Sequence, residues 1–219
     1  MDHNQQLQRA AVRTDAASLA SAVAATKRGE PAGRIQVAGA MAWAAYSCPG
    51  ATEAVWDNIA SAWLGSGPTP DIPQGLPEAP ITETFWNAFW KVVEGPPEGY
   101  DAITVTVAVA GLNDEVHPDW EAIAEQNARS HPGAAKALTS AVPGHTDFDK
   151  LATYKKDTLA GALYSMIVEN GYDPEVLDRE SIKLSSKPPT LQYLNTRILQ
   201  MHDVWHLVAG YETTSSNEI

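Results

Sequence analysis

The chain has 219 residues, with 15 Lys and Arg against 27 Asp and Glu and a formal net charge of −12. That balance excludes a phosphate-backbone binder and argues against a broadly basic membrane face, leaving room only for local basic patches. The single cysteine, Cys48, rules out an internal disulfide framework and fits a reducing, cytoplasmic compartment. With 44% apolar residues and seven tryptophans the chain has the material for a sizeable core, and its length suits one domain, with or without an irregular extension. No run approaches the roughly 18 apolar residues that a membrane span needs. The first thirty residues have no signal-peptide core, and Asp2, Asp15 and Glu30 among Arg9, Arg13, Lys27 and Arg28 do not fit a transit peptide.

In chain order, residues 5–26 are alanine-rich and predict one helix. Residues 34–64 predict one or two helices broken at Cys48-Pro49-Gly50, with Val55, Ile59 and Trp63 on one face of the second. Ser66 to Pro80 holds five prolines and two glycines and reads as an extended loop. Residues 82–93 place Phe85, Trp86, Phe89 and Trp90 as two i,i+4 pairs on a helix; a core or interface face is expected, and the alternative is a surface for lipid or an apolar substrate. Residues 103–109 alternate like a strand, but with no second strand-like run to pair with, a buried helix is the better reading.

Pro118 opens a helix to about Ser130, which His131-Pro132 stops. Asp157 is placed to cap a helix from Thr158 to Glu169, ended by Asn170-Gly171, and Asp173-Pro174 starts a short helical turn. After the rigid Lys187-Pro188-Pro189, Thr190 is placed to cap a long helix ended by Gly210. There Leu191, Leu194, Ile198, Met201, Trp205 and Val208 form a continuous apolar seam that should face the core. The expected fold is all-α: residues 1–100 form a helical, Pro- and Trp-rich N-terminal extension and residues 101–219 the main helical domain.

On that last helix, His202 and His206 are separated by one turn and project from one side, at the flank of the seam. Two imidazoles so spaced reach one metal ion. Asp203 adds a ligand, a group that orients His202, or a proton acceptor. Glu218 could return to the pair if the chain reverses after Gly210, although Ser215-x-x-Glu218 also reads as a capping box. Two histidines with one or two carboxylates suit zinc or iron. The bland alternative is a hydrogen-bonded structural pair. A zincin peptidase is disfavoured, because Asp203 stands where its general-base glutamate would.

His202-Asp203-x-x-His206, eleven further residues and Glu218, flanked by Arg197, Trp205 and Gly210-Tyr211, resembles the signature of the coenzyme Q biosynthesis protein 4 family. Leu151 to Gly171 resembles an upstream family segment more loosely: Thr158-Leu159 is kept, but the preceding Pro and Gly are not. The resemblance spans about residues 118–219. It implies an all-helical protein, commonly a homodimer, peripheral to the inner face of a membrane and associated with other ubiquinone-pathway proteins. It also implies a divalent metal (zinc foremost, iron or magnesium otherwise) held by His202, Asp203, His206 and Glu218, with Asp203 as the catalytic group. Leu159, Leu163, Met166 and Ile167 would wall a cavity for a polyprenylated quinone precursor or another lipid, with Arg197 counted among the substrate-binding residues. The chemistry implied is removal of the ring carboxylate at C1, coupled to hydroxylation there: a metal-dependent oxidative decarboxylase, or a scaffold for it. Family members continue past the glutamate, so a C-terminally shortened form is expected.

Two competing readings follow from the same residues. A helical His-Asp phosphohydrolase would take an upstream histidine from His117, His131 or His145, but no downstream Asp follows His206. A non-catalytic binding module would keep the histidines structural and use the aromatic helix to meet a partner.

Overall fold

The computed structural model describes residues 3–65, 67–172, 179–180 and 182–212. Among them every regular element is helical and none is a strand. The helices are α1 (His3–Ala10), α2 (Ala16–Lys27), α3 (Pro31–Tyr46), α4 (Thr52–Leu64), α5 (Glu83–Glu94), α6 (Ala102–Gly111), α7 (Pro118–Ser130), α8 (Pro132–Ala135), α9 (Phe148–Leu151), α10 (Leu159–Asn170) and α11 (Pro189–Ala209). The chain divides into two compact units: residues 1–90 with 115–127, and residues 91–114 with 128–219.

In the first unit the single helix expected over residues 5–26 is two. The Asp15 carboxylate accepts from Ser18 N (2.9 Å) and Ser18 Oγ (2.6 Å), capping α2 and ending the continuity with α1. Alanine and glycine then allow close helix crossings. A Cβ on Gly33 would lie 2.7 Å from Ala22 O and Ala25 Cβ on α2, and one on Gly39 would lie 2.5 Å from the Ala10 backbone on α1. Leu19, Trp43, Cys48, Val55 and Ile72 are among the side chains of the core these crossings enclose. The face of α4 drawn from Val55, Ile59 and Trp63 runs from the core outwards: Val55 is buried, Ile59 half-buried and Trp63 exposed.

The Pro-rich segment is extended, as its composition predicts, but fastened. Ile72 and Ala79 are buried. Asn58 Nδ2 donates to Ala16 O (3.3 Å) and Pro70 O (3.1 Å), while Ser47 and Ala79 exchange two hydrogen bonds, Ser47 Oγ to Ala79 O (2.6 Å) and Ala79 N to Ser47 O (2.9 Å). On α5, Phe85 and Trp86 are buried and Phe89 and Trp90 half-buried, in a ladder of edge-on and stacked rings that also takes in Tyr46; this is the core reading of that helix. Trp120 Nε1 on α7 donates to Ala45 O (2.9 Å).

In the second unit, residues 102–111 are helical, started by a capping box between Asp101 and Thr104. Burial is one-sided, with Val105 buried and Val107 and Val109 exposed, so the uniform burial expected for this helix does not hold. Thr158, not Asp157, caps α10: its Oγ1 accepts from Gly161 N (3.1 Å). Gly161 is required here, because a Cβ would collide with the Lys155 carbonyl. α11 begins at Pro189, whose fixed φ suits the first helical position, so Thr190 lies inside the first turn and is fully buried instead of capping it. Gly210 ends α11 in the left-handed region, φ 71°. The turn expected at Asp173-Pro174 lies outside the described residues.

The largest correction concerns which side of α11 faces inward. Ile198, Trp205 and Val208 of the apolar seam are 48%, 48% and 72% exposed, and Leu191, Leu194 and Met201 are only half-buried. The residues fully buried on this helix are Thr190, Thr196 and His206; Thr196 lies about 170° and His206 about 110° round the helix from the centre of the seam. Two of these buried polar groups have partners on the helix itself: Thr196 Oγ1 donates to Gln192 O (2.8 Å), and His206 Nε2 meets His202 Nε2 (3.3 Å). α11 packs against α10, and Arg179 and Gln200 both donate to the Gly144 carbonyl.

Candidate metal centre

Half of the α11 seam is exposed, and His206, on the flank of that seam, is 3% exposed. His202, one turn earlier, is half-buried. The two Nε2 atoms approach to 3.3 Å with rings 70° apart and centroids 4.7 Å apart. That is a long nitrogen–nitrogen contact in which the tautomers set which ring donates. It is also the separation, about 3.3 Å, at which two nitrogens sit on one tetrahedral zinc with bonds of about 2.0–2.1 Å. The separation, with the inner imidazole buried, is compatible with two ligands of one divalent metal.

Asp203 lies on the far side of His202. Its Oδ1 is 3.4 Å from His202 Nδ1, the nitrogen turned away from the pair, and both side chains are partly exposed. A carboxylate there orients the ring and makes the opposite nitrogen a better donor. The Gly210 turn folds the chain back over the site: Tyr211 N donates to His206 O (3.0 Å), and the Tyr211 ring stands edge-on to His206 at 6.4 Å. Sequence reasoning passed over this tyrosine as a contact, although Gly-Tyr after a helix is the signal of such a reversal.

Among the described residues, no three His, Cys, Asp or Glu side chains group to hold a metal. Glu218 and the Ser215 capping box lie outside the described residues. Of the other expected site residues, Ile167 is buried on α10, Leu163 and Met166 are half-buried, and Leu159 and Arg197 are exposed. The α10–α11 packing therefore places three of the four apolar positions against or near the unit's interior, and Leu159 outside it.

No curated protein and no solved structure gives a match to this chain. The family match covers less sequence than the resemblance did, starting at residue 140 instead of about 118. It still contains α9, α10, α11 and both histidines. Residues 140–219 match the model of the family described as coenzyme Q (ubiquinone) biosynthesis protein Coq4, so this C-terminal segment is similar to that family.

Proposed function

We propose that the C-terminal unit binds a divalent metal, zinc best suited, at the His202–His206 pair and serves ubiquinone biosynthesis by acting on a polyprenylated quinone precursor. The observation that carries the reading is the 3.3 Å approach of the two Nε2 atoms on the inner side of α11. A family match over the same residues supplies the pathway.

On this reading His202 and His206 hold the metal and Glu218 completes the set. Asp203 keeps Nδ1 of His202 hydrogen-bonded, so that Nε2 is presented as the free lone pair, and it is the nearest carboxylate able to take a proton from the ring hydroxyl or carboxyl of a bound precursor. A bound metal supplies Lewis acidity that polarises the precursor ring. Leu163, Met166 and Ile167 line the side of α10 that receives the prenyl chain, with Leu159 at its outer end, and Arg197 meets the ring substituents. The reaction class is loss of the C1 carboxylate as carbon dioxide with hydroxylation of the same carbon, for which dioxygen from solution would be the oxidant. The exposed seam of Ile198, Trp205 and Val208 is a face for a second copy of this chain or another pathway protein.

Metal analysis of purified protein tests the centre. Wild type should carry close to one equivalent of zinc, and His206→Ala and His202→Ala should each carry little. Metal-free wild type, or unchanged content in both variants, would refute it. The pathway role is tested separately, by asking whether wild type and Asp203→Ala restore a ubiquinone-deficient strain. Wild type is expected to restore growth and Asp203→Ala to do so poorly.

A further inference from the structure

α4 ends in two large, exposed apolar side chains. Trp63 is 50% and Leu64 72% exposed, and Gly65, φ 67°, turns the chain away immediately after. Beside them lies the C-terminal end of α2: Lys27 Nζ donates to Trp63 O (2.6 Å), and its ammonium stands 5.8 Å from the Trp63 ring centroid. Arg28 follows Lys27, and Arg34 is in the first turn of α3, both exposed. This unit has five Lys and Arg in all, Arg9, Arg13, Lys27, Arg28 and Arg34, so three of them share this tip. Of the unit's twelve Asp and Glu, Glu30 lies in the turn between α2 and α3 and pairs with Arg28 (2.6 Å). Two positive charges remain in excess at one end of an otherwise acidic unit.

We propose that this tip docks on an anionic lipid surface, with Trp63 and Leu64 entering the headgroup region and Lys27, Arg28 and Arg34 facing the lipid phosphates. The chemistry favours lipid over a protein partner. A stable protein interface takes about 800 Å² from each side, whereas two side chains at a helix end form a point, not a face. Lipid docking needs an apolar insert together with basic residues, since neither alone holds a protein at a membrane. Tryptophan, with an apolar body and a polar N–H, suits the interfacial zone, and the Lys27 ammonium is held at its ring and backbone carbonyl. The net charge of −12 does not prevent this: screening acts over about 10 Å in 0.1 M salt, so the tip's own field governs the approach. The tip lies outside residues 140–219 and does not depend on the metal reading.

The test is co-sedimentation of the full chain with phosphatidylcholine vesicles, with and without about a third phosphatidylglycerol. Binding is expected to the charged vesicles, to be about ten-fold weaker to neutral ones, and to fall with added salt. The double variants Trp63→Ser with Leu64→Ser, and Arg28→Gln with Arg34→Gln, should each weaken binding about ten-fold while leaving the unfolding midpoint near wild type. Trp56→Ser, two turns back on α4, should bind like wild type. Equal binding to both vesicle types, unaltered binding in either double variant, or no vesicle binding at all overturns the proposal. His206→Ala should bind vesicles normally, so this proposal and the metal centre fail by different measurements.

Discussion

At the scale of single residues, the consequences are set by how closely atoms approach and by what hydrogen-bonds to what. Gly39 has the Ala10 backbone 2.5 Å from where a Cβ would sit, so Gly39→Ala must push α1 off α3. A loss of about 1–3 kcal/mol is expected in chemical denaturation, as for other overpacked cores. Asn58→Ala removes both bonds that fasten the Pro-rich segment, to Ala16 O and Pro70 O, and should cost about 1–3 kcal/mol by the same measurement. Burial, and secondarily the charge of Glu78, raise the Cys48 thiol above its ordinary value. Cys48 should therefore react with a disulfide reagent only as fast as the protein opens, and at once in denaturant.

Asp15 gives the opposite sign. The Ser18 side chain and backbone amide hold its carboxyl below 3.8. A depressed native value means that the contribution to stability is complete above the unfolded value and is lost as pH falls through the native one. The Ser18 amide resonance should titrate with a midpoint below 3.8, and Asp15→Ala should abolish that step.

At the scale of elements, the seam of α11 gives the clearest contrast between what a pattern says and where it points. The helix, its Gly210 end and the i,i+4 spacing of the histidines were all legible, because they depend on local φ preferences and on the helical period. The direction of the buried side was not. An apolar stripe normally marks the inner face, yet here the inner face holds Thr196 and His206 and leaves Ile198, Trp205 and Val208 exposed. Consequently Trp205→Gln with Val208→Gln should keep the unfolding free energy within about 0.5 kcal/mol of wild type, while shifting any self-association seen by sedimentation towards monomer. A loss of several kcal/mol would mean that the seam is inside. The cap of α10 was missed by one residue for a related reason: Asp157 and Thr158 are both good caps, and the close approach of Gly161 to the Lys155 carbonyl accompanies the choice of Thr158.

For the whole molecule, the division into two compact units makes the effect of metal local. Zinc at about 100 times its dissociation constant should stabilise the unit that contains α11 by about 2.7 kcal/mol. In hydrogen exchange, zinc should slow α10 and α11 and leave α2 and α3 unchanged, with a chelator reversing the effect. Equal slowing in both units would count against a centre confined to α11.

The sequence by itself determined the helical class, most helix boundaries, the Pro-rich interruption and the two histidines on one side of one helix. These are properties of neighbours along the chain: period, caps, fixed proline φ and left-handed glycine. Only the tertiary structure decided that His206 is buried, that the two Nε2 atoms approach while Asp203 faces the other nitrogen of His202, and that Lys27 at the end of α2 meets Trp63 at the end of α4. The burial of His206 and the Lys27–Trp63 contact depend on which way a helix is rolled against its neighbours, and the His202–His206 and His202–Asp203 approaches on the rotamers that this packing allows. The sequence period leaves that roll open; it is settled only by packing against the neighbouring helices.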